Sequence, residues 1–112
     1  MNAINFKVMS RMLNLLRLWD QQPERRPHLM VMYGAGDKAF SSGGDVKYST
    51  IECKKDFMMW HRWYLSFHQD LYHLHLLKKP YHVAIWNGYV AGAGTGFSIN
   101  APIRIVTEKS SY

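Results

Sequence analysis

Apolar residues at Phe6, Met9, Leu13 and Leu16, widened by Met12, Leu15 and Trp19, recur at the three- and four-residue steps of a helix face. Asn5 or Asn2 stands where a cap is needed, and Asp20-Gln21-Gln22-Pro23 ends the segment, because proline cannot continue the hydrogen-bond ladder. The period then changes. His28-Leu29-Met30-Val31-Met32-Tyr33 is a short, almost unbroken apolar run, the pattern of a parallel strand buried on both faces. It runs into a glycine- and serine-rich loop from Gly34 to Asp45, whose backbone is suited to unusual dihedrals. A second helix is predicted from about Lys54 to Leu77, with a stripe formed by Trp60, Tyr64, Phe67, Leu71 and Leu74 and a stop at Lys78-Lys79-Pro80. Tyr81-His82-Val83-Ala84-Ile85-Trp86 reads as another buried strand. A glycine-punctuated turn from Gly88 to Gly96 follows, then a short helix around Thr95 to Asn100 and a third strand over Ile103 to Val106. This order predicts an α/β fold in which parallel strands alternate with helices.

Composition narrows the picture. A chain of 112 residues has room for one domain, taken as 1–112, and a 47% hydrophobic content excludes intrinsic disorder. No apolar run approaches the ~20 residues of a bilayer span, so no membrane partner is expected. Met1-Asn2-Ala3-Ile4-Asn5 has the order of neither a secretory signal nor a transit segment. A single cysteine, Cys53, excludes an internal disulfide framework and has no evident partner for nucleophilic chemistry. The formal charge of +6 favours anionic partners in general. The basic doublets Arg25-Arg26, Lys54-Lys55 and Lys78-Lys79 are scattered, however, and do not interleave with aromatics in one patch, so no nucleic-acid partner is expected. His61, His68 and His75 recur every seven residues, ~10.5 Å apart along a helix axis, too far to chelate one ion. They predict a partly exposed face or a subunit contact, and no metal site.

The candidate chemistry lies in the two glycine loops. Each follows a strand directly, and ligands in open α/β sheets bind beyond the carboxyl ends of strands. Two such loops on neighbouring strands can aim two main-chain N–H groups at one oxygen atom, the arrangement that stabilises charge developing on a carbonyl. Neither loop carries the dinucleotide fingerprint or the lysine-ending phosphate loop.

The stretch from Gly34-Ala35-Gly36-Asp37-Lys38 through Gly43-Gly44-Asp45-Val46-Lys47 resembles the acyl-CoA loop of the crotonase (enoyl-CoA hydratase/isomerase) superfamily. The stretch from Lys79-Pro80-Tyr81 through Gly92-Ala93-Gly94-Thr95-Gly96 resembles its second oxyanion loop, and Met1-Asn2-Ala3-Ile4 resembles the opening of its first helix. Gly43-Gly44-Asp45, Gly96 and Arg104-Ile105-Val106-Thr107-Glu108-Lys109 are similar to the superfamily's thioester-hydrolase branch. The resemblance implies the crotonase spiral fold, incomplete relative to the family. It also implies hydrolysis of a short branched acyl-CoA thioester in valine breakdown, in the mitochondrial matrix. The alternatives are a hydratase or isomerase of the same fold and a non-catalytic CoA-binding or oligomerisation module.

By position in the resemblance, the amides of Gly44 and Ala93 form the oxyanion hole. Lys38, Ala39, Phe40, Gly43, Asp45, Val46 and Gly92 line the CoA thioester, and Lys38, Lys47 and Lys54 face its phosphates. Asp70 is the nearest counterpart of a family acid on the second helix. No cofactor is implied, since CoA belongs to the substrate. Hydratases carry a catalytic glutamate where Gly96 stands, and the hydrolase carboxylates follow the Thr107-Glu108-Lys109 strand. The chain therefore reads as an internal portion of a longer enzyme, expected to be inactive alone and, with part of its sheet omitted, to self-associate.

Overall fold

A computed structural model of the chain describes residues 1–76, 78 and 80–112. Helix α1 spans Phe6–Gln21; the Asn5 side chain accepts the Val8 N–H at 3.2 Å, and Met9, Leu13, Leu16 and Trp19 turn inward. Asn5 is thus the cap. Asn2 does different work: at φ 52°, its side-chain amide donates to the carbonyls of Ala35 and Ala39 and ties the start of the chain to the first glycine loop.

Strands β1 (Leu29–Tyr33), β3 (Tyr81–Trp86) and β5 (Ile103–Val106) form a parallel sheet in the order β1-β3-β5, with Val31, Val83 and Ile103 in one row. Two strands that the apolar pattern did not predict, β2 (Ala39–Ser41) and β4 (Tyr89–Val90), pair in parallel as a second small sheet. They lie inside the two glycine loops and are too short for a period to register.

Two expectations are corrected. The second helix expected from about Lys54 is α3, over Phe57–Leu76, and a further helix that the apolar pattern did not predict, α2 over Val46–Lys55, precedes it. They part at Asp56, which is extended at φ −150° and accepts the Met58 N–H on its side chain at 2.9 Å. Leu77 and Lys79, at the expected end of that helix, lie outside the described residues. The strands are not buried on both faces. Strand β1 alternates, with Leu29, Val31 and Tyr33 exposed, because one face of the sheet is unpacked there, and all of β5, at the edge of the sheet, is exposed on both faces.

The α3 stripe is also rotated from the predicted one. Trp63, Phe67, Leu71 and Leu74 pack inward, whereas Trp60 and Tyr64 are 42% and 51% exposed. Helix α4 spans Ala93–Ile99. One core cluster joins α1, α3 and Phe97; the other joins Phe40, Ala84, Trp86, Val90 and Ala101, and Met32 packs against both.

Candidate functional site

The first glycine loop is held by the amino-terminal segment running beside it. Ile4 donates its N–H to the Gly43 carbonyl, and Asp45 donates its N–H to the Ile4 carbonyl, both at 2.8 Å. The Ser41 hydroxyl donates to the Asn2 carbonyl and accepts the Gly43 N–H. Gly43 sits at φ +91°, a left-handed conformation that glycine adopts freely and other residues pay for in strain. The bend leaves the Gly44 N–H, flanked by two tied residues, without an acceptor among the described residues.

The second loop leans against the first. Ala91 donates its N–H to the Ser41 carbonyl at 3.0 Å, and Gly92 turns the chain at φ +46° into α4. Ala93 is the first residue of that helix, so its N–H has no intrahelical acceptor. Among the described residues Asn2 is the only non-glycine with positive φ, so Ala93 keeps an ordinary backbone. The loops touch: a Cβ on Gly43 would stand 3.2 Å from the Ala91 carbonyl oxygen and 3.7 Å from the Ala93 nitrogen. The sequence-predicted Gly43, Gly44, Gly92 and Ala93 are thereby brought together.

Beside Gly44 opens an apolar groove of about 480 Å³ between α2 and α3. Val46, Ser49, Thr50 and Cys53 line it from α2, and Phe57, Trp60 and Trp63 from α3, with Lys54 on its wall. Sequence reasoning missed this wall because α2 buries no residue and leaves no stripe. The spacing of Trp60, Trp63 and Phe67 was the available signal.

The other predicted residues are placed as follows. Ala39 and Phe40 are buried in β2, and Asp45 caps α2 by accepting the Tyr48 N–H at 2.9 Å. Val46 is exposed in the first turn of α2, and Lys38, Lys47 and Lys54 are exposed. Asp70 does not line the groove. It is fully buried on α3, seven residues or ~10.5 Å along the axis from Trp63, and neither carboxyl oxygen has a hydrogen-bond partner among the described residues. Burial raises its pKa to about 6, with His73 and Arg17 pulling the other way.

No carboxylate lines the groove among the described residues. Asp45 and Asp56 cap helices, Glu52 pairs with Lys55, and Asp20 faces His73 at 3.3 Å. At Gly96 a Cβ would meet the Phe67 ring at 3.2 Å and Leu71 at 3.5 Å, so packed apolar groups fill the space next to that position. His61, His68 and His75 are exposed on α3. What the site offers is unpaired main-chain donors beside an apolar channel: it can polarise an oxygen atom and hold an apolar group attached to it.

The enoyl-CoA hydratase/isomerase family model matches residues 1–112, and the chain belongs to that family. It is 31% identical to the mitochondrial 3-hydroxyisobutyryl-CoA hydrolase of Gallus gallus, over all of this chain and 28% of that protein. It is 33% identical to the mitochondrial enzyme of that name from Xenopus laevis, over all of this chain and 28% of that protein. With probable 3-hydroxyisobutyryl-CoA hydrolase 3 of Arabidopsis thaliana the identity is 35%, over all of this chain and 29% of that protein. The chain thus spans less than a third of the length of these relatives. An enoyl-CoA hydratase from Rhodobacter sphaeroides 2.4.1 superposes at a TM-score of 0.83 and 26% identity, over 96% of this chain and 32% of that one. A carnitinyl-CoA dehydratase from Mycobacterium thermoresistibile shares the fold at a TM-score of 0.80 and 22% identity, over 96% of this chain and 31% of that one. The α/β fold expected from the sequence is the one these neighbours have in part of their chains.

Proposed function

We propose that the two glycine bends bind the carbonyl of an acyl-CoA thioester, with the Gly44 and Ala93 N–H groups as its oxyanion hole, in the service of thioester hydrolysis of the 3-hydroxyisobutyryl-CoA type. The observation that carries this reading is the contact of the two bends, with both N–H groups lacking acceptors among the described residues and an apolar groove opening beside Gly44. A developing oxyanion accepts both donors, and each is worth ~3 kcal/mol of barrier lowering. The main chain of Ala39, Phe40, Gly43, Asp45 and Gly92 supports the thioester and its pantetheine, while exposed Lys38 and Lys47 attract the CoA phosphates. The names of the animal relatives support a mitochondrial setting.

Hydrolysis also needs a carboxylate to activate water and an acid for the leaving thiolate. The groove holds no carboxylate among the described residues, which supports a second reading: these residues bind the thioester without turning it over. Calorimetric titration with 3-hydroxyisobutyryl-CoA, run beside a thiol-release assay, tests both. Binding without thiol release is expected. Thiol release by these 112 residues would overturn the binding-only reading, and absence of binding would overturn both.

A further inference from the structure

Resting on the thioester reading above, we infer that the groove between α2 and α3 takes flat aromatic acyl groups, and holds them more tightly than the four-carbon hydroxyacyl group for which the hydrolase relatives are named. The groove begins where the thioester carbonyl is proposed to sit. Gly44 lines it, and the edge of the Trp63 indole lies 3.4 Å from the point a Cβ on Gly44 would occupy. An acyl chain leaving that carbonyl therefore meets an indole at once.

Trp63 is held between two rings. It stacks on Trp60 at 5.1 Å and 26°, and on Phe67 at 6.0 Å and 12°. Phe67 in turn meets Phe97 of α4 edge-on at 5.4 Å. The ladder fixes the wall: with its faces covered by Trp60 and Phe67, Trp63 offers a ligand its edge, and the ring surface open to stacking is that of Trp60. At the outer end Trp60 is 42% exposed and Phe57 80% exposed. Covering such apolar surface is favourable. A volume of about 480 Å³ is several times that of a four-carbon acyl group and accommodates a ring in offset contact with the indole.

The two α2 hydroxyls of the wall offer a hydroxylated acyl group no donor. The Ser49 hydroxyl donates to the Asp45 carbonyl at 2.9 Å and the Thr50 hydroxyl to the Val46 carbonyl at 2.8 Å. Both hydrogens are committed within α2, so neither is donated to a substrate hydroxyl. A substrate hydroxyl can therefore only donate to these two oxygens, whereas an aryl group needs no polar partner on α2.

Titration of the tryptophan fluorescence with phenylacetyl-CoA, 3-hydroxyisobutyryl-CoA and free CoA tests the inference. Phenylacetyl-CoA is expected to bind about tenfold more tightly than 3-hydroxyisobutyryl-CoA, the scale of one well-placed aromatic pair. Trp60→Ala is expected to bring that ratio close to one, and Trp60→Phe to restore most of it. Equal affinities for the two thioesters, or a ratio that survives Trp60→Ala, would overturn the aryl assignment while leaving the thioester site standing. Failure of all three ligands to bind would overturn both.

Discussion

At the scale of single residues, the consequential feature is a pair of buried titratable groups outside the groove. Asp70 has no hydrogen-bond partner among the described residues, and its carboxyl is raised to about 6 by burial. The folded state therefore holds this proton more tightly than the unfolded state. The stabilisation this proton gives is present at low pH and is lost as the pH rises from about 4 through about 6. The cost at neutral pH is on the order of 3 kcal/mol. Asp70→Asn is expected to raise the denaturant midpoint at pH 8 and to do so less at pH 5; an equal effect at both would mean that Asp70 is not buried as a charge. His82 acts in the opposite sense. It is 2% exposed in β3 with neither ring nitrogen paired among the described residues, and burial lowers its pKa. Its contribution is present above about 6.5 and is lost as the pH falls below it. His82→Gln should flatten the acid limb of the stability profile, and an unchanged limb would contradict neutral burial.

At the scale of elements, the two bends depend on backbone conformations that few residues adopt. Gly43→Ala forces a Cβ onto φ +91° and to within 3.2 Å of the Ala91 carbonyl oxygen, so a loss of ~1–3 kcal/mol is expected in equilibrium unfolding. Ala93→Pro is the cleaner probe of the site. Proline fits the first position of a helix, where the N–H is unpaired in any case, so the fold is expected to persist by circular dichroism. The deleted donor should weaken thioester binding by roughly tenfold, the net worth of one hydrogen bond, with little effect on free CoA. Unchanged thioester affinity would remove Ala93 from the site. Much of this was legible in the sequence: the α1 stripe, the three long strands and both glycine loops follow from period and composition. Strands β2 and β4 were not, since two or three residues carry no period. Helix α2 was missed because it buries no residue and so shows no apolar stripe, and its end at Asp56, where a side-chain cap starts the next segment, left no mark in the pattern either. The inward turn of Trp63 in place of Trp60 and Tyr64 comes from α1 packing on α3, a tertiary choice between neighbouring stripes.

At the scale of the whole molecule, one face of the larger sheet is uncovered. Leu29, Val31, Tyr33, Tyr81, Ile103 and Ile105 are between 46% and 69% exposed and fall in paired rows. Monomers rarely leave a contiguous apolar patch of more than a few hundred Å² open to water. Sedimentation is therefore expected to give a mass above 13.1 kDa at micromolar concentration, reduced by Val31→Lys together with Ile103→Lys; a monomer throughout would contradict self-association through this face. The α/β frame matters chiefly for what it brings together at its glycine loops, two main-chain donors, of Gly44 and Ala93, 49 sequence positions apart. The most direct test is the amide spectrum of ¹⁵N-labelled protein titrated with a thioester of CoA. Convergence on one oxygen predicts that the Gly44 and Ala93 amide protons shift downfield together along one saturation curve and stay in place with free CoA. Silence of either amide while the thioester binds would contradict it.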